Sequence, residues 1–339
     1  MKINLTFTKH HTKIVKGIAM LLMLFDHLFW MESGKYSVLI KIPMYHDIPW
    51  LIGSLGNICV SMFLFLSGYG MYITAQNQGR YTFKDAFIRI KNMWFQYAFI
   101  TTLIIILDFL FGKITFDIKK IILNLLALDF SYNKYAWFMI TYIIIILVFP
   151  LMNYLMAHSP WMLDCLIVIG IKGAITFLNS VINFYISVPE IAYKTLMEPF
   201  MFLPVFLIGY IIAKYDIFTK VSEKIFSGKL SKLKYLLLIF ATLSFMVLVP
   251  HTIFDNIAAP LLCFGFAYLI YATKIQLLIE FIGNQSMNMW LIHYPIMITL
   301  LNKLVYAPRY WLLILIWIIL IMIPISFGID KFMKLIKGN

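Results

Sequence analysis

The sequence predicts an all-α polytopic membrane protein with about ten transmembrane helices, and its composition and patterning support this fold class. Of the 339 residues, 62% are apolar and only 13% are charged, whereas a soluble domain is about 45–50% apolar and about 25% charged. The mean hydropathy is +0.89. Lys and Arg concentrate between long apolar runs, so the net charge of +13 is interpreted as a topology signal. No nucleic-acid partner is expected.

The apolar runs predict ten crossings of the bilayer. A span needs about 20 mostly apolar residues, and the predicted spans lie at 14–31, 51–75, 93–112, 136–156, 161–178, 200–213, 235–250, 257–273, 281–301 and 310–329. An eleventh apolar segment, at 121–128, is short. We predict that this segment is interfacial or re-entrant.

The distribution of Lys and Arg predicts the orientation of the spans. With a cytoplasmic N-terminus, the inside segments hold 18 Lys and Arg residues and the outside segments hold 9, which is the excess that cytoplasmic loops carry. A crossing at 121–128 would turn the basic stretch 214–234 outward. We therefore expect both termini in the cytoplasm, in a multi-pass protein of the plasma membrane. No linker or appended soluble domain is apparent, so residues 1–339 are expected to form a single membrane domain.

The first predicted span carries ionisable residues that hydrocarbon disfavours. Lys16 and His27 are eleven residues apart, which places them within about 20° of the same helix face and about 16 Å apart along the axis. Asp26 is rotated by about 100° from His27 and need not share a cavity with it. A structural explanation stays open, in which Lys16 snorkels to the membrane surface and His27 bonds to a neighbouring helix.

The second predicted span and the loop after it offer small and basic residues. Ser67 and Gly68 lie in the stretch "FLFLSGYGMY", where small side chains let another helix or a ligand approach the backbone. The following loop carries Arg80, Lys84, Arg89 and Lys91. These cations are either a topology signal or the binding groups for a cofactor that carries phosphates.

The ninth predicted span contains a second intramembrane histidine. Gly283, Asn284 and Ser286 at its start are expected to end and cap a helix at the inner surface. His293 lies ten residues after Gly283, about 15 Å into the membrane, which is close to the depth of His27. Matching depth fits a cavity shared by the two imidazoles, but depth does not give the lateral distance between them. Pro295, which frees backbone groups, offers a structural explanation for the polar residues nearby.

Taken together, these stretches resemble the acyltransferase-3 family of integral membrane acyltransferases. A basic residue followed after ten positions by histidine is the first-helix signature of that family. The similarity continues in "FIRIKNMWFQY", "AWFMITYIIIILVFP", "FLPVFLIGYIIAKY" and "IGNQSMNMWLIHYPIM". The matching residues are Lys16, His27, Ser67, Gly68, Arg89, Trp137, Phe138, Phe206, Gly209, Gly283, Ser286 and His293. Ala86 departs from the paired arginines of the family, and the glutamate that follows the tryptophan in many members is missing.

The resemblance implies transfer of an acyl group, usually acetyl, from cytoplasmic acyl-CoA to a hydroxyl of a cell-surface or lipid-linked carbohydrate. It implies catalysis by His27 with Asp26. Donor binding would fall to Lys16, Arg89, Lys91 and Ser67, and His293 and Trp137 would line the pocket. Acetyl-CoA is the expected donor, membrane lipids are further partners, and no metal is expected. Histidine, with an ordinary pKa of about 6.5, either takes a proton from the acceptor hydroxyl or accepts the acyl group itself.

Two other classes of function stay open at the level of sequence. A polysaccharide flippase or polymerase would also be a basic polytopic protein. A proton-coupled transporter would use Asp26, His27 and Lys172 as a relay. Product formation that depends on acetyl-CoA would distinguish the enzyme from both.

Overall fold

The computed structural model describes residues 6–32, 34–38, 47–185, 193, 197–249 and 251–337. In these ranges the chain is helical, with no strand and one isolated bridge between Ser37 and Tyr310. The predicted all-α fold class is confirmed.

The helices are numbered in chain order. The first is α1 (Lys9–Phe25), which continues as a π-helix (Asp26–Met31), and the next are α2 (Ile48–Gly56), α3 (Cys59–Gln78), α4 (Phe83–Leu110) and α5 (Ile118–Leu125). A 3₁₀ turn (Lys134–Trp137) leads to α6 (Phe138–Met156), α7 (Trp161–Tyr185), α8 (Glu198–Lys214), α9 (Ile217–Lys224), α10 (Ser231–Leu248) and α11 (His251–Ile270). The last are α12 (Gln276–Tyr294) with a π-helix (Pro295–Leu300), α13 (Asn302–Val305) and α14 (Trp311–Lys337).

The predicted number of about ten spans is approximate. In the described ranges, seven helical stretches are long and apolar enough to cross a membrane, and there are eight if α8 and α9, which meet at 64°, form one bent span. The predicted spans 257–273 and 281–301 fall on α11 and on α12 with its π-helix. The apolar part of α11 is shorter than a full span, and α12 carries several polar side chains.

The short segment predicted at 121–128 is largely helix α5. This helix has eight residues and is about 12 Å long, so it is too short to cross a hydrocarbon core of about 30 Å. The buried Asn124 holds it in place by donating to Ser131 Oγ at 3.1 Å and accepting from the Tyr132 N–H at 3.2 Å. Its interfacial or re-entrant placement stays a prediction.

The helices form two compact units, each built from three separate segments. One unit, called the histidine unit, comprises Lys13–Val60, Phe95–Ala136 and Ile270–Asn339. The other, called the arginine unit, comprises Met1–Thr12, Ser61–Trp94 and Trp137–Leu269. The predicted site residues divide between them: Lys16, Asp26, His27 and His293 belong to the histidine unit, and Ser67, Arg89, Lys91 and Trp137 belong to the arginine unit.

Glycines bring α1 and α12 into backbone contact in the histidine unit. A methyl group added at Gly17 would overlap the carbonyl oxygen of Ile279, and one added at Gly283 would overlap that of Lys13. The expectation that Gly283 ends and caps a helix is wrong, because α12 begins at Gln276 and Gly283 lies inside it. Its missing side chain serves the crossing of two helices.

A network of polar side chains joins α12 to α4 and α14 in the same unit. Asn288 donates to the Asp330 carboxylate at 2.7 Å and accepts from Gln96 at 2.5 Å. Gln285 donates to the same carboxylate at 2.9 Å and accepts from Ser326 at 2.6 Å. These side chains satisfy one another away from water, and they hold α12 in place along its middle.

Close glycine contacts also organise the arginine unit. A methyl group at Gly68 would overlap the carbonyl oxygen of Phe206 on α8, and one at Gly209 would overlap that of Phe65 on α3. The two helices therefore meet through their backbones. The sequence allowed either another helix or a ligand to approach the backbone at Gly68. In the structure it is another helix, α8, that does so.

Candidate active site

His27 and His293 are in direct contact inside the histidine unit. Nε2 of His293 lies 2.9 Å from Nδ1 of His27, and the two rings are nearly parallel with centroids 4.8 Å apart. Both side chains are buried: His27 is 8% exposed and His293 is 0% exposed. The two imidazoles that the sequence placed at similar depth therefore form a hydrogen-bonded pair.

Both histidines lie where an α-helix changes to a π-helix. His27 is the second residue of the π-helix that follows α1, and His293 lies two residues before the π-helix that follows α12. Such π-turns occur frequently at functional sites. In the first of them, Tyr306 donates to the Leu28 carbonyl at 3.4 Å and Tyr36 donates to the Phe29 carbonyl at 3.3 Å.

A side chain from a distant segment compensates for the proline beside His293. In an α-helix the carbonyl of Leu291 would accept from the N–H of residue 295, but Pro295 has none. The Nδ2 group of Asn133 donates to this carbonyl instead, at 2.8 Å. The segment that precedes α6 is thereby fixed against the helix that carries His293.

The hydrogen bonds of His293 determine the tautomer of His27. His293 Nδ1 contacts the carbonyl oxygen of Trp290. A carbonyl only accepts, so Nδ1 of His293 carries the hydrogen and donates. Neutral His293 then has its lone pair on Nε2, which accepts from the Nδ1–H of His27. Neutral His27 therefore has its lone pair on Nε2.

Asp26 lies beside that free nitrogen. Its Oδ2 atom is 3.4 Å from His27 Nε2. The side chain is buried, and its Oδ1 atom has no hydrogen-bond partner among the residues that the structure describes. The rotation of about 100° expected from the helix does not keep the two side chains apart, because they meet at the first turn of the π-helix. Gly56 of α2 packs against the Cβ atom of Asp26.

Tyr135 covers the histidine pair. Its ring is 3.9 Å from that of His27, with 4° between the planes, and 5.3 Å from that of His293. Trp290 fixes the backbone of this turn, because its indole N–H donates to the Tyr135 carbonyl at 3.0 Å. A role for Tyr135 was not predicted from the sequence, since a tyrosine just before an apolar span is common at membrane surfaces.

The remaining predicted site residue of the histidine unit is Lys16. It is half-buried on α1, the helix that leads to His27, and about 16 Å along the axis from it. The role predicted for Lys16 in donor binding stays a prediction.

The arginine unit holds the other predicted donor-binding residues. Arg89 donates to the Tyr142 hydroxyl from both Nε, at 3.2 Å, and a terminal nitrogen, at 2.7 Å. Lys91 is exposed. The Ser67 hydroxyl donates to the Phe63 carbonyl of its own helix at 2.9 Å. The Trp137 ring stacks on that of Phe202, with centroids 6.2 Å apart.

Comparison with protein families decides the class of the protein. A family model described as an acyltransferase domain matches residues 13–330. The chain belongs to the acyltransferase-3 family. The acyltransferase-3 match extends over both units and confirms the family expected from the motifs. Comparisons with curated proteins and with solved structures found no match.

Membership of the acyltransferase-3 family implies acyltransferase activity in a multi-pass membrane protein. Acyl transfer needs a group that takes a proton from the attacking hydroxyl, or that carries the acyl group. A buried imidazole with its lone pair on Nε2 is able to do either. The described part of the chain contains no group of three or more His, Cys, Asp and Glu side chains placed to hold a metal ion.

Proposed function

We propose that this acyltransferase transfers an acetyl group from cytoplasmic acetyl-CoA to a hydroxyl of a cell-surface or lipid-linked carbohydrate at the plasma membrane. The observation that carries the proposal is the buried pair of histidines. Its hydrogen bonds leave the lone pair of His27 on Nε2, so that one defined nitrogen is available for chemistry.

His27 acts as the general base. Nε2 takes the proton of the acceptor hydroxyl while the hydroxyl oxygen attacks the thioester carbonyl carbon. A carbon–oxygen bond forms, the carbon–sulfur bond breaks, and the CoA thiolate leaves. The proton on Nε2 then passes to the thiolate, so His27 returns to its neutral form. The step therefore balances in atoms and in charge.

Asp26 and His293 stabilise the imidazolium that forms in this step. The Asp26 carboxylate lies 3.4 Å from Nε2, where it offsets the new positive charge. His293 keeps accepting from Nδ1 of His27, and a hydrogen bond from a charged donor is stronger than one from a neutral donor. An acyl group on Nε2 would instead crowd against the carboxylate, which favours the general-base route over a covalent acyl-histidine.

Donor binding is assigned to Lys16, Arg89, Lys91 and Ser67. In the ten-span arrangement these residues belong to the cytoplasmic side, where acetyl-CoA is present. Arg89 is well suited to phosphate because it is always charged and presents a planar fork of donors, and Tyr142 holds that fork in place. Trp137 is assigned to the wall of the pocket.

Acetyl transfer by the purified protein tests the proposal. The full chain is reconstituted in vesicles with radiolabelled acetyl-CoA and a glycan fraction isolated from the envelope of cells that carry the protein. The amount of labelled glycan is measured. We expect His27→Ala to lower the rate by about 10²–10⁴-fold, which is the usual contribution of a general base. The matched control is His158→Ala, because His158 is exposed and belongs to the arginine unit.

Two results would contradict the proposal. One is a parent protein that transfers no label from acetyl-CoA to glycan. The other is a His27→Ala variant that is folded, as judged by gel filtration and thermal unfolding, and as active as the His158→Ala control.

A further inference from the structure

Aromatic and charged side chains surround the turn that carries His27 in the histidine unit. His27 is 8% exposed. The side chain of Glu32 is 22% exposed and that of Lys35 is 44% exposed. The exposed fraction of the charged side chains thus rises along the segment that follows the π-helix.

Three tyrosines lie near this segment. The ring of Tyr135, which covers His27, meets the ring of Tyr294 edge-on, with centroids 4.9 Å apart. The Tyr135 hydroxyl donates to the Met31 sulfur at 3.3 Å. Further along, the Lys35 ammonium group lies 5.6 Å from the centre of the Tyr306 ring.

The Glu32 carboxylate interacts electrostatically with each of the three tyrosines. Its carboxylate forms an ion pair with Lys35 and lies within electrostatic reach of the Tyr135, Tyr294 and Tyr306 phenols. Burial and, after it, the Glu32 carboxylate raise the pKa of Tyr306, so this phenol stays protonated near neutral pH.

We infer that Glu32, Lys35, Tyr135, Tyr294 and Tyr306 bind a neutral sugar unit of the acceptor and so form an acceptor subsite next to His27. The inference rests on the proposed function and narrows its substrate class. Aromatic rings offer flat apolar surfaces to the C–H faces of a sugar ring, and a tyrosine hydroxyl that donates within the protein can still accept from a sugar hydroxyl. A carboxylate accepts from sugar hydroxyls and an ammonium group donates to them.

The charge of the subsite selects a neutral sugar over an anionic one. Glu32 and Lys35 compensate each other, so no excess positive charge is present among these five residues to pair with an acidic sugar. A simple aliphatic alcohol offers no further hydroxyls to the Glu32 carboxylate and the Lys35 ammonium group, whereas a sugar does. The subsite therefore discriminates in favour of a polyhydroxylated acceptor.

Transfer to defined acceptors tests the subsite. The reconstituted full chain is given radiolabelled acetyl-CoA together with octyl β-glucoside, octyl β-galactoside or octyl N-acetyl-β-glucosaminide, below their micelle concentrations, or with 1-octanol. The octyl chain is common to all four, so a preference for a glycoside measures recognition of the sugar. We expect a higher kcat/KM for at least one glycoside than for 1-octanol.

Variants then locate the preference. Glu32→Gln keeps the shape of the side chain but removes its charge, and we expect it to raise the KM of the preferred glycoside by about tenfold, the effect of losing a hydrogen bond to a charged group. The KM of acetyl-CoA and the rate with 1-octanol should be those of the parent. Tyr306→Leu should also raise the KM of the glycoside, whereas Tyr306→Phe, which keeps the ring, should not.

Glu223→Gln is the matched control, since Glu223 is exposed on α9 in the arginine unit. Thermal unfolding and gel filtration establish that each variant is folded. Transfer to none of the four hydroxyl compounds would contradict the proposed function and the subsite together. Equal use of 1-octanol and the glycosides would overturn the subsite alone, as would parental glycoside KM values in Glu32→Gln and Tyr306→Leu.

Discussion

At the scale of the residue, one backbone carbonyl fixes which nitrogen of His27 is free to react. The Trp290 oxygen accepts from His293, His293 accepts from His27, and the lone pair of His27 is left on Nε2 beside Asp26. The chain of hydrogen bonds ends at rigid helix backbone, so the tautomer does not depend on a mobile side chain. His293 is therefore a positioning residue for His27.

Replacement of His293 by phenylalanine tests this positioning. The change keeps a planar ring next to Tyr135 but removes the acceptor of the His27 Nδ1–H. We expect kcat to fall about 10–100-fold, because a hydrogen bond to a charged group contributes about 1.5–3 kcal/mol and the charge exists only during reaction. The KM of acetyl-CoA should not change. Steady-state kinetics with acetyl-CoA checks both parameters, with His158→Phe as the control.

A folded His293→Phe variant with parental kcat, or one whose loss appears only in KM, would remove His293 from the mechanism. The sequence predicted that His27 and His293 lie at similar depth, because depth in the membrane follows from counting residues along two helices. It did not predict Tyr135, which a separate loop delivers, because depth gives no lateral position. Nor did it place Asp26 beside His27, because an ideal α-helix was assumed where the chain forms a π-turn.

At the scale of the element, α1 and α12 position the histidines by crossing with their backbones in contact. The two glycines at the crossing have no room for a side chain. Gly17 and Gly283 each lie against a carbonyl oxygen of the other helix. This contact lies about 15 Å along each axis from the histidine of that helix. A change in the crossing would therefore be amplified at the imidazole pair.

Gly283→Ala should destabilise the protein, whereas Gly328→Ala should not. A methyl group at Gly283 overlaps the Lys13 carbonyl, while one at Gly328 on α14 meets nothing within 4 Å. Forcing extra volume into a packed contact costs about 1–3 kcal/mol, and alanine at an open helical position stabilises by up to about 1 kcal/mol. Thermal unfolding in detergent should give a lower Tm for Gly283→Ala only. Equal Tm values for the two variants would mean that α1 and α12 do not approach each other closely at Gly283.

The presence of helices was predictable in each of the ten predicted spans, because apolar length is a strong signal. Their boundaries and local forms were less so. The small and polar residues 283–286 suggested the start of a helix, but α12 starts seven residues earlier. The π-helices were not predicted either, because sequence periodicity does not show tertiary contacts such as those that Tyr36 and Tyr306 make with the first of them.

At the scale of the whole molecule, the uneven distribution of Lys and Arg predicts which end of each helix faces the cytoplasm. The basic stretch 214–234 contributes most to this excess on the predicted inner side. The two compact units were not predicted, because their segments alternate along the chain and composition does not distinguish them. The single membrane domain predicted for residues 1–339 stays a prediction.

Cysteine labelling in intact cells tests the orientation. In a background with Cys165 replaced by alanine, Ser227→Cys places a thiol at an exposed site after α9, and Lys303→Cys places one at an exposed site on α13. Cys59 and Cys263 are buried. We expect a membrane-impermeant maleimide to label Lys303→Cys and to label Ser227→Cys only after the cells are lysed. Labelling of Ser227→Cys in intact cells would invert the orientation and move the donor site outside.

The bond between Asn133 and the Leu291 carbonyl has a consequence for biosynthesis. Asn133 leaves the ribosome long before Leu291 is made, and an unpaired carbonyl in hydrocarbon costs several kcal/mol. The late helix α12 therefore gains a partner for this carbonyl when it packs against an amide that is already there. Insertion of the last part of the chain is thus coupled to correct assembly of the first. A nascent chain that misplaces the segment around Asn133 would leave the Leu291 carbonyl without this hydrogen bond.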